Sequence, residues 1–216
     1  TVAAATYFLK HVWNPSLFNQ IAYEVEKKQH GNPSGGDNTV VTMGGLLWFR
    51  KELEFLKSMW QLDIKIPDFL NHFFLINTGK PKETTGEMVS FVRKNVEKNP
   101  SSMKQLFSQN EEQVKRIAIA LKEKNEQELV SAINLGEQTL EKMGVVGKKV
   151  IPCIRDVVSY GGAAKILGGG GKQQGVGFLL CYHKDAAIIE KIGKKLRIIP
   201  ENLPVFGSLF FEFLTL

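Results

Sequence analysis

Apolar residues recur at helical spacing in the first part of the chain, with proline at one break in the pattern. Two helices are predicted there, over residues 2–12 and 16–28. The first is expected to end before Pro15, because proline disfavours helical geometry in the residue that precedes it. The inward face of the second helix is formed by Leu17, Ile21 and Val25.

The pattern then changes to one that is typical of strands. Residues 39–49 are rich in β-branched and aromatic side chains, and they predict a strand with a break at Gly44-Gly45. A further strand is predicted within residues 53–66, and a short buried strand at residues 73–76.

Three capping signals predict helices in the second half of the chain. The pairs are Thr84 with Glu87, Ser108 with Glu111, and Asn125 with Glu128. The first helix is expected to stop near Pro100, and the last at Gly144. We interpret the helices that open at Ser108 and Asn125 as a packed pair whose Glu and Lys side chains form solvated faces. A last helix over 186–195, capped by Asp185, and a closing strand at 209–213 complete a predicted α+β fold.

A glycine-rich segment precedes the apolar run at 178–182. It fails the Walker A pattern, because Gly171-Lys172 is followed by Gln173 and not by Ser or Thr. It leads into a strand, so it predicts a hairpin. Close approach to a ligand is the functional interpretation, and a merely flexible turn is the alternative. The candidate binding residues are Gly168, Gly169, Gly170 and Gly171.

The segment at residues 30–38, His-Gly-Asn-Pro-Ser-Gly-Gly-Asp-Asn, is the second candidate site. Its glycines and proline exclude a regular helix on pattern alone. The backbone around Ser34 and Gly35 suits a phosphate. Asp37 would hold a metal or accept a proton, or it simply caps a turn. Glu26, near the end of the preceding helix, could share a Mg²⁺ ion with Asp37.

The composition of the chain gives little information about the ligands or macromolecules that it binds. The net charge of +6 favours anionic ligands, but no basic run indicates nucleic-acid binding. No stretch of 18 apolar residues predicts a membrane span. Cys153 and Cys181 fit no metal-binding spacing and suit a reduced, cytosolic setting, with Cys181 in the core. His30 is interpreted as a helix C-terminal cap, and His11, His72 and His183 receive no role.

The segment at residues 30–38, together with Glu26, closely resembles the corresponding part of the mevalonate kinase family, in the GHMP small-molecule kinase superfamily. The glycine hairpin resembles the third motif of these kinases, although Lys172-Gln173-Gln174 interrupts it. The resemblance implies a GHMP kinase fold. Residues 1–66 would be an incomplete N-terminal domain of ribosomal-S5-like fold, and residues 67–216 a ferredoxin-like C-terminal domain.

The resemblance also implies a chemistry. ATP and Mg²⁺ would be the cofactors, and the hydroxyl of mevalonate would be the acceptor in isoprenoid precursor synthesis. Asp37 would act as the base and Glu26 as the metal ligand. Substrate and phosphate would contact Ser34, Gly35 and Thr84 together with the four glycines. A kinase for another alcohol, such as phosphomevalonate or a sugar, and a non-catalytic binding protein are the alternatives. A homodimer is an assembly that the resemblance allows.

The first residues of the sequence lead to one further prediction. Residues 1–5 already lie inside an apolar helical pattern and include no initiator Met. The glycine–serine loop that wraps ATP phosphates in the resembling family is not found. An additional N-terminal portion carrying that loop is therefore expected.

Overall fold

The computed structural model describes residues 14–30, 33–52, 56–196 and 201–202. The helix predicted at 2–12 and the strand predicted at 209–213 lie outside these residues. The chain divides into two compact units, with the boundary between Ile64 and Lys65. Within the described ranges, no helix is both long and apolar enough to cross a membrane.

The first unit combines two helices with a β-hairpin. The helices are α1 (Pro15–His30) and α2 (Gly36–Met43), and the hairpin pairs β1 (Leu47–Lys51) with β2 (Lys57–Gln61) in antiparallel register. The predictions of a helix at 16–28 and a strand within 53–66 are both confirmed.

The strand predicted over residues 39–49 is wrong in its first half, because Gly36–Met43 is the helix α2. Glycine and proline in the preceding segment therefore exclude a helix only as far as Gly35. Two threonines of α2 hydrogen-bond backward along the helix: Thr39 Oγ1 donates to Gly35 O at 2.6 Å, and Thr42 Oγ1 donates to Asn38 O at 2.7 Å. The tertiary contacts of Asn38 and Thr39 with Asn19 override the β propensity of threonine and valine in this segment.

In the second unit, one strand is followed by four helices, two strands, a further helix and a last strand. A 3₁₀ turn (Asp68–His72) leads into β3 (Phe73–Asn77), which confirms the short buried strand. The remaining elements are α3 (Thr85–Lys98), α4 (Pro100–Glu123), α5 (Glu126–Met143), α6 (Ile151–Ser159), β4 (Ala163–Ile166), β5 (Phe178–Tyr182), α7 (Ala186–Leu196) and β6 (Glu201–Asn202).

The four strands of this unit form one antiparallel sheet in the order β4-β5-β3-β6. This is the strand order of a ferredoxin-like sheet. The core lies between the sheet and the helices, and Ile76, Leu179, Ile154 and Ile189 are almost completely buried in it. The predicted α+β class is confirmed.

Helix ends follow the capping chemistry with one exception. Asn125 accepts the N–H of Glu128 at the start of α5, and Gly144 ends α5 with φ +81°. Asp185 accepts the N–H of Ala187 in α7. The cap predicted at Ser108 is wrong, since α4 runs through it from Pro100. Proline at a first helical position was the stronger start signal.

Candidate active site

The segment at residues 33–36 leads into α2 through Gly35, whose backbone is in the left-handed conformation. Gly35 has φ +87° and precedes the first helical residue. The hydroxyl of Ser34 accepts the N–H of Gly36 at 3.1 Å. A Cβ atom on Gly35 would lie 2.8 Å from Lys57 Nζ and 3.1 Å from the Tyr23 ring, so glycine suits the position for two reasons.

Two lysines of the hairpin reach this turn, which the sequence pattern did not reveal. Lys51 and Lys57 are register partners next to the loop that joins β1 to β2. Lys51 Nζ donates to Pro33 O at 3.0 Å, and Lys57 Nζ lies 3.1 Å from the Tyr23 ring centroid. Positive charge therefore borders the N-terminus of α2, where helix N–H groups already favour an anion.

The N-terminus of α2 is tied to α1 by buried amide groups. Asn38 Nδ2 donates to Asn19 Oδ1 at 2.5 Å, and Asn19 Nδ2 donates to Thr39 Oγ1 at 3.1 Å. Asn38 and Thr39 are almost completely buried. These bonds fix the direction in which the first turn of α2 presents its exposed residue, Asp37.

Asp37, the predicted base, and Glu26, the predicted metal ligand, belong to neighbouring helix ends. Asp37 is exposed in the first turn of α2, and Glu26 is half-buried one turn before α1 ends at His30. No group of three or more His, Cys, Asp or Glu side chains gathers as metal ligands among the described residues. One or two carboxylates still fit Mg²⁺, because Mg²⁺ in kinases usually takes its other ligands from phosphates and water.

In the second unit, Thr84 forms the predicted capping box with Glu87. Thr84 Oγ1 accepts the Glu87 N–H at 3.2 Å, and Glu87 Oε2 accepts the Thr84 N–H at 2.7 Å. The Thr84 hydroxyl also donates to Glu87 Oε2 at 2.9 Å. Hydrogen bonds from the Thr84 backbone and side chain lower the pKa of Glu87. The cap is confirmed, whereas the contact of Thr84 with substrate stays a prediction.

Replacing Thr84 tests its contribution as a helix cap. Thr84→Ala is expected to lower the free energy of unfolding by about 1 kcal/mol through loss of the cap. Thr84→Ser keeps the hydroxyl and should remain close to wild type. Urea unfolding followed by circular dichroism measures both variants. Equal stability of Thr84→Ala and wild type would contradict the capping contribution.

The glycine-rich hairpin joins β4 to β5 as predicted. Leu167 N–H donates to Phe178 O at 2.9 Å and closes it, and both Gly168 and Gly170 have positive φ. Gly171 N–H donates to Val145 O at 2.9 Å. Amide contacts to a ligand, predicted for all four glycines, are therefore expected from Gly168, Gly169 and Gly170.

The residues that interrupt the family pattern tether this hairpin to the start of α3. Lys172 N–H donates to Glu83 Oε2 at 3.2 Å, and Lys172 Nζ lies 4.0 Å from the Phe91 ring centroid. Gln173 Oε1 accepts from Lys82 at 3.3 Å. The Thr84 cap and the glycine turn therefore belong to one continuous surface of this unit, since Thr85 also lies beside Gly169.

Gly170→Ala is expected to be among the most destabilising substitutions in the hairpin. Its Cβ would lie 2.2 Å from Val145 O, and its φ of +73° strains any residue with a side chain. We expect a loss of about 2–4 kcal/mol in unfolding free energy from the clash and the strain together.

Gly168→Ala is the matched control, because Gly168 has φ +76° but no atom within 4 Å of the added methyl group. Strain alone should then remove about 1–2 kcal/mol. Thermal unfolding of both variants tests the difference. Equal losses would show that the close approach to Val145 does not limit the hairpin.

Glu137 on α5 contradicts the interpretation of that helix's charged residues as solvated. It is only 1% exposed, and its Oε2 accepts the N–H of Ile166 at 3.0 Å. Burial raises the pKa of Glu137 from 4.5 to about 8, although Lys165 and the Ile166 N–H act in the opposite direction. The helical pattern could not identify this residue, because the partner is an adjacent strand and not another helix.

The cysteines behave as core residues. Cys153 and Cys181 are both buried free thiols. Burial raises the pKa of Cys153 to about 11, and it raises the pKa of Cys181 as well. Neither thiol is therefore an activated nucleophile, which agrees with the placement of Cys181 in the core.

Comparison with known proteins places this geometry in context. The chain is 26% identical over 191 residues to mevalonate kinase of Arabidopsis thaliana, a match that covers 85% of this chain and 47% of the relative. It is 30% identical over 175 residues to mevalonate kinase of Mus musculus, covering 74% of this chain and 40% of the relative. The chain thus spans less than half the length of these relatives. No protein-family model matches it.

Solved structures give the same result for the fold. Mevalonate kinase of L. major in complex with R-mevalonate has a TM-score of 0.71 at 22% identity, over 90% of this chain and 57% of that one. Streptococcus pneumoniae phosphomevalonate kinase in complex with phosphomevalonate and AMPPNP has a TM-score of 0.72 at 14% identity, over 93% and 65% of the two chains. The chain is therefore a mevalonate kinase-like protein with the GHMP kinase fold over the part of its relatives that it spans.

Proposed function

We propose that the protein to which this chain belongs is an ATP-dependent kinase that phosphorylates the hydroxyl of mevalonate. The observation that carries this proposal is the turn at residues 33–36, which leads into a helix N-terminus with Asp37 exposed in its first turn. The relatives that the chain matches over most of its length are mevalonate kinases.

In the proposed reaction, the Asp37 carboxylate accepts the proton of the acceptor hydroxyl. The hydroxyl oxygen then forms a bond to the γ-phosphorus of ATP as the bond to the β-phosphate oxygen breaks, and ADP leaves. Phosphoryl transfer of this kind depends on positioning and charge neutralisation more than on covalent chemistry. The helix N-terminus and the nearby lysines supply positive potential for phosphate oxygens.

Mg²⁺, when bound, would neutralise charge on the ATP phosphates. Glu26 is the proposed ligand, because an oxygen donor at the end of α1 has the chemistry that Mg²⁺ prefers. In the second unit, the amides of Gly168, Gly169 and Gly170 are proposed to donate hydrogen bonds to oxygens of the substrate or the transferring phosphoryl group.

Phosphomevalonate is the second candidate acceptor. The resemblance in fold to phosphomevalonate kinase is as close as that to mevalonate kinase. Lys82 and Lys172 at the glycine hairpin could bind an acceptor that already carries a phosphate. A sugar acceptor has no such observation in its favour.

A substrate panel tests the proposal. The complete protein is supplied with ATP and Mg²⁺, and ADP release is measured with mevalonate, phosphomevalonate or galactose. We expect turnover with mevalonate. Turnover restricted to phosphomevalonate would favour the second candidate. ATP binding without turnover on any acceptor, or neither binding nor turnover, would contradict the kinase assignment.

A further inference from the structure

The outer edge of β4 is hydrogen-bonded by side chains of α5. Asn134 Nδ2 donates to Gly162 O at 3.0 Å, and Asn134 Oδ1 accepts the N–H of Ala164 at 3.3 Å. One helical turn further on, Glu137 Oε2 accepts the N–H of Ile166 at 3.0 Å. The bonded strand residues are alternate ones, whose polar groups point to the same side of a strand.

Ile166 is held through both of its backbone polar groups. Besides the bond from its N–H to Glu137, its carbonyl oxygen accepts from Lys165 Nζ at 2.8 Å. The side chains of Glu137 and Lys165 are both buried. Ile166 ends β4, and Gly168 follows two residues later. Two buried ionisable side chains therefore hold Ile166, and Leu167 between it and the glycine turn is held by its bond to Phe178 O.

The same helix also fixes the far end of that turn. Val145 comes directly after Gly144, which terminates α5, and its carbonyl oxygen accepts the N–H of Gly171. The four glycines from Gly168 to Gly171 thus lie between two attachments to α5, Glu137 at one end and Val145 at the other. A change at either attachment shifts the glycines relative to a bound ligand.

In the described part of the chain, the carboxyl group of Glu137 makes one buried hydrogen bond and leaves a second oxygen without a partner. Among the described residues, its second oxygen, Oε1, has no hydrogen-bond partner although it is buried. The charged groups that face it are Lys165 on β4, Glu141 on α5 and Arg155 on α6. An apolar side chain of similar size would remove the unsatisfied oxygen, but it would also leave the Ile166 N–H without its acceptor and Lys165 without this neighbour.

We propose that Glu137 is a positioning residue: its carboxyl group, as the acceptor for the Ile166 N–H, sets the position of the Gly168–Gly171 turn for phosphoryl transfer. The link to phosphoryl transfer rests on the function proposed above, whereas the attachment of the turn to α5 does not. Glu137 itself touches no reacting atom in this proposal and acts through the backbone of β4.

Three variants of the complete protein test this proposal. Glu137→Leu removes the acceptor at similar volume, Glu137→Gln keeps an acceptor oxygen without the charge, and Glu141→Gln is the control on the next turn of α5. Amide hydrogen exchange at Ile166 and Gly171 reports the attachment, and kcat and KM for mevalonate report the reaction. Should Glu137→Leu fail to fold, Glu137→Ser takes its place, because its side chain is too short to reach Ile166.

In the Glu137→Leu variant, we expect the amide hydrogen of Ile166 to exchange at least about tenfold faster than in the wild type. We also expect its kcat to be lower by about 10²-fold. Glu137→Gln and Glu141→Gln should stay near wild type in both measurements. Unchanged exchange, or unchanged kcat in a variant that remains folded, would overturn the proposal, as would a Glu137→Gln variant as impaired as Glu137→Leu. If the wild-type protein lacks kinase activity, the proposed function fails, and the exchange rates alone decide the attachment.

Discussion

Asp37→Asn should lower kcat by about 10² to 10⁴-fold while ATP affinity changes little. The amide keeps the size and hydrogen-bonding shape of the carboxylate, but it cannot accept the proton of the attacking hydroxyl. Asp37 is exposed in the first turn of α2 and does not take part in the buried contacts of Asn38 and Thr39. Loss of its favourable interaction with the helix dipole should remove only about 0.3–1 kcal/mol of stability. Steady-state kinetics and nucleotide titration of the complete protein measure both effects.

Two further variants make this test specific. Glu26→Gln should raise the Mg²⁺ concentration needed for half-maximal rate, and excess Mg²⁺ should restore much of its turnover. Asp63→Asn, at an exposed aspartate elsewhere in the first unit, should leave the kinetics unchanged. Near-normal turnover of Asp37→Asn, or its rescue by Mg²⁺ where Glu26→Gln is not rescued, would show that the two carboxylates have been assigned the wrong roles.

The free energy of unfolding should fall as pH rises from about 5 to about 8, because of Glu137. Burial raises the pKa of this carboxyl group to about 8 in the folded protein, against 4.5 ordinarily. Between these values the folded state retains a proton that the unfolded state has released, so each added pH unit removes stability. The slope can reach about 1.4 kcal/mol per pH unit. Above about pH 8 this contribution should level off.

Glu137→Gln should flatten this pH dependence, since an amide does not titrate. Glu141→Gln is the control, because it changes a carboxylate on the same helix that is paired with Arg155. Urea unfolding of the three proteins at intervals from pH 5 to pH 9 provides the comparison. A wild-type curve parallel to that of Glu137→Gln across this range would show that Glu137 is ionised throughout.

Local chemistry made several elements predictable from sequence. Thr84 with Glu87, Asn125 with Glu128 and the terminating Gly144 each act within a few residues of their own position, and all three lie where they were expected. The glycine hairpin was predictable for a similar reason, because consecutive glycines before an apolar run leave few other arrangements.

Features that depend on distant partners were not predictable. The helix α2 resembles a strand in composition. Its N-terminus is fixed by hydrogen bonds of Asn38 and Thr39 with Asn19, which lies 19 and 20 residues earlier in the chain. Lys57 reaches the turn at Gly35 only because of the register of the hairpin. Glu137 occupies a polar position on a charged helix, and nothing in its spacing indicates an adjacent strand.

The contacts of Asn134 and Glu137 with β4 also bear on self-association. An uncovered strand edge can pair with a strand of another molecule. At the outer side of β4, backbone polar groups of Gly162, Ala164 and Ile166 already form hydrogen bonds with side chains of α5. A substitution that loosens α5 from β4 would expose those groups while most of the core stays intact. Such variants should form oligomers through β4 at temperatures well below their unfolding transition.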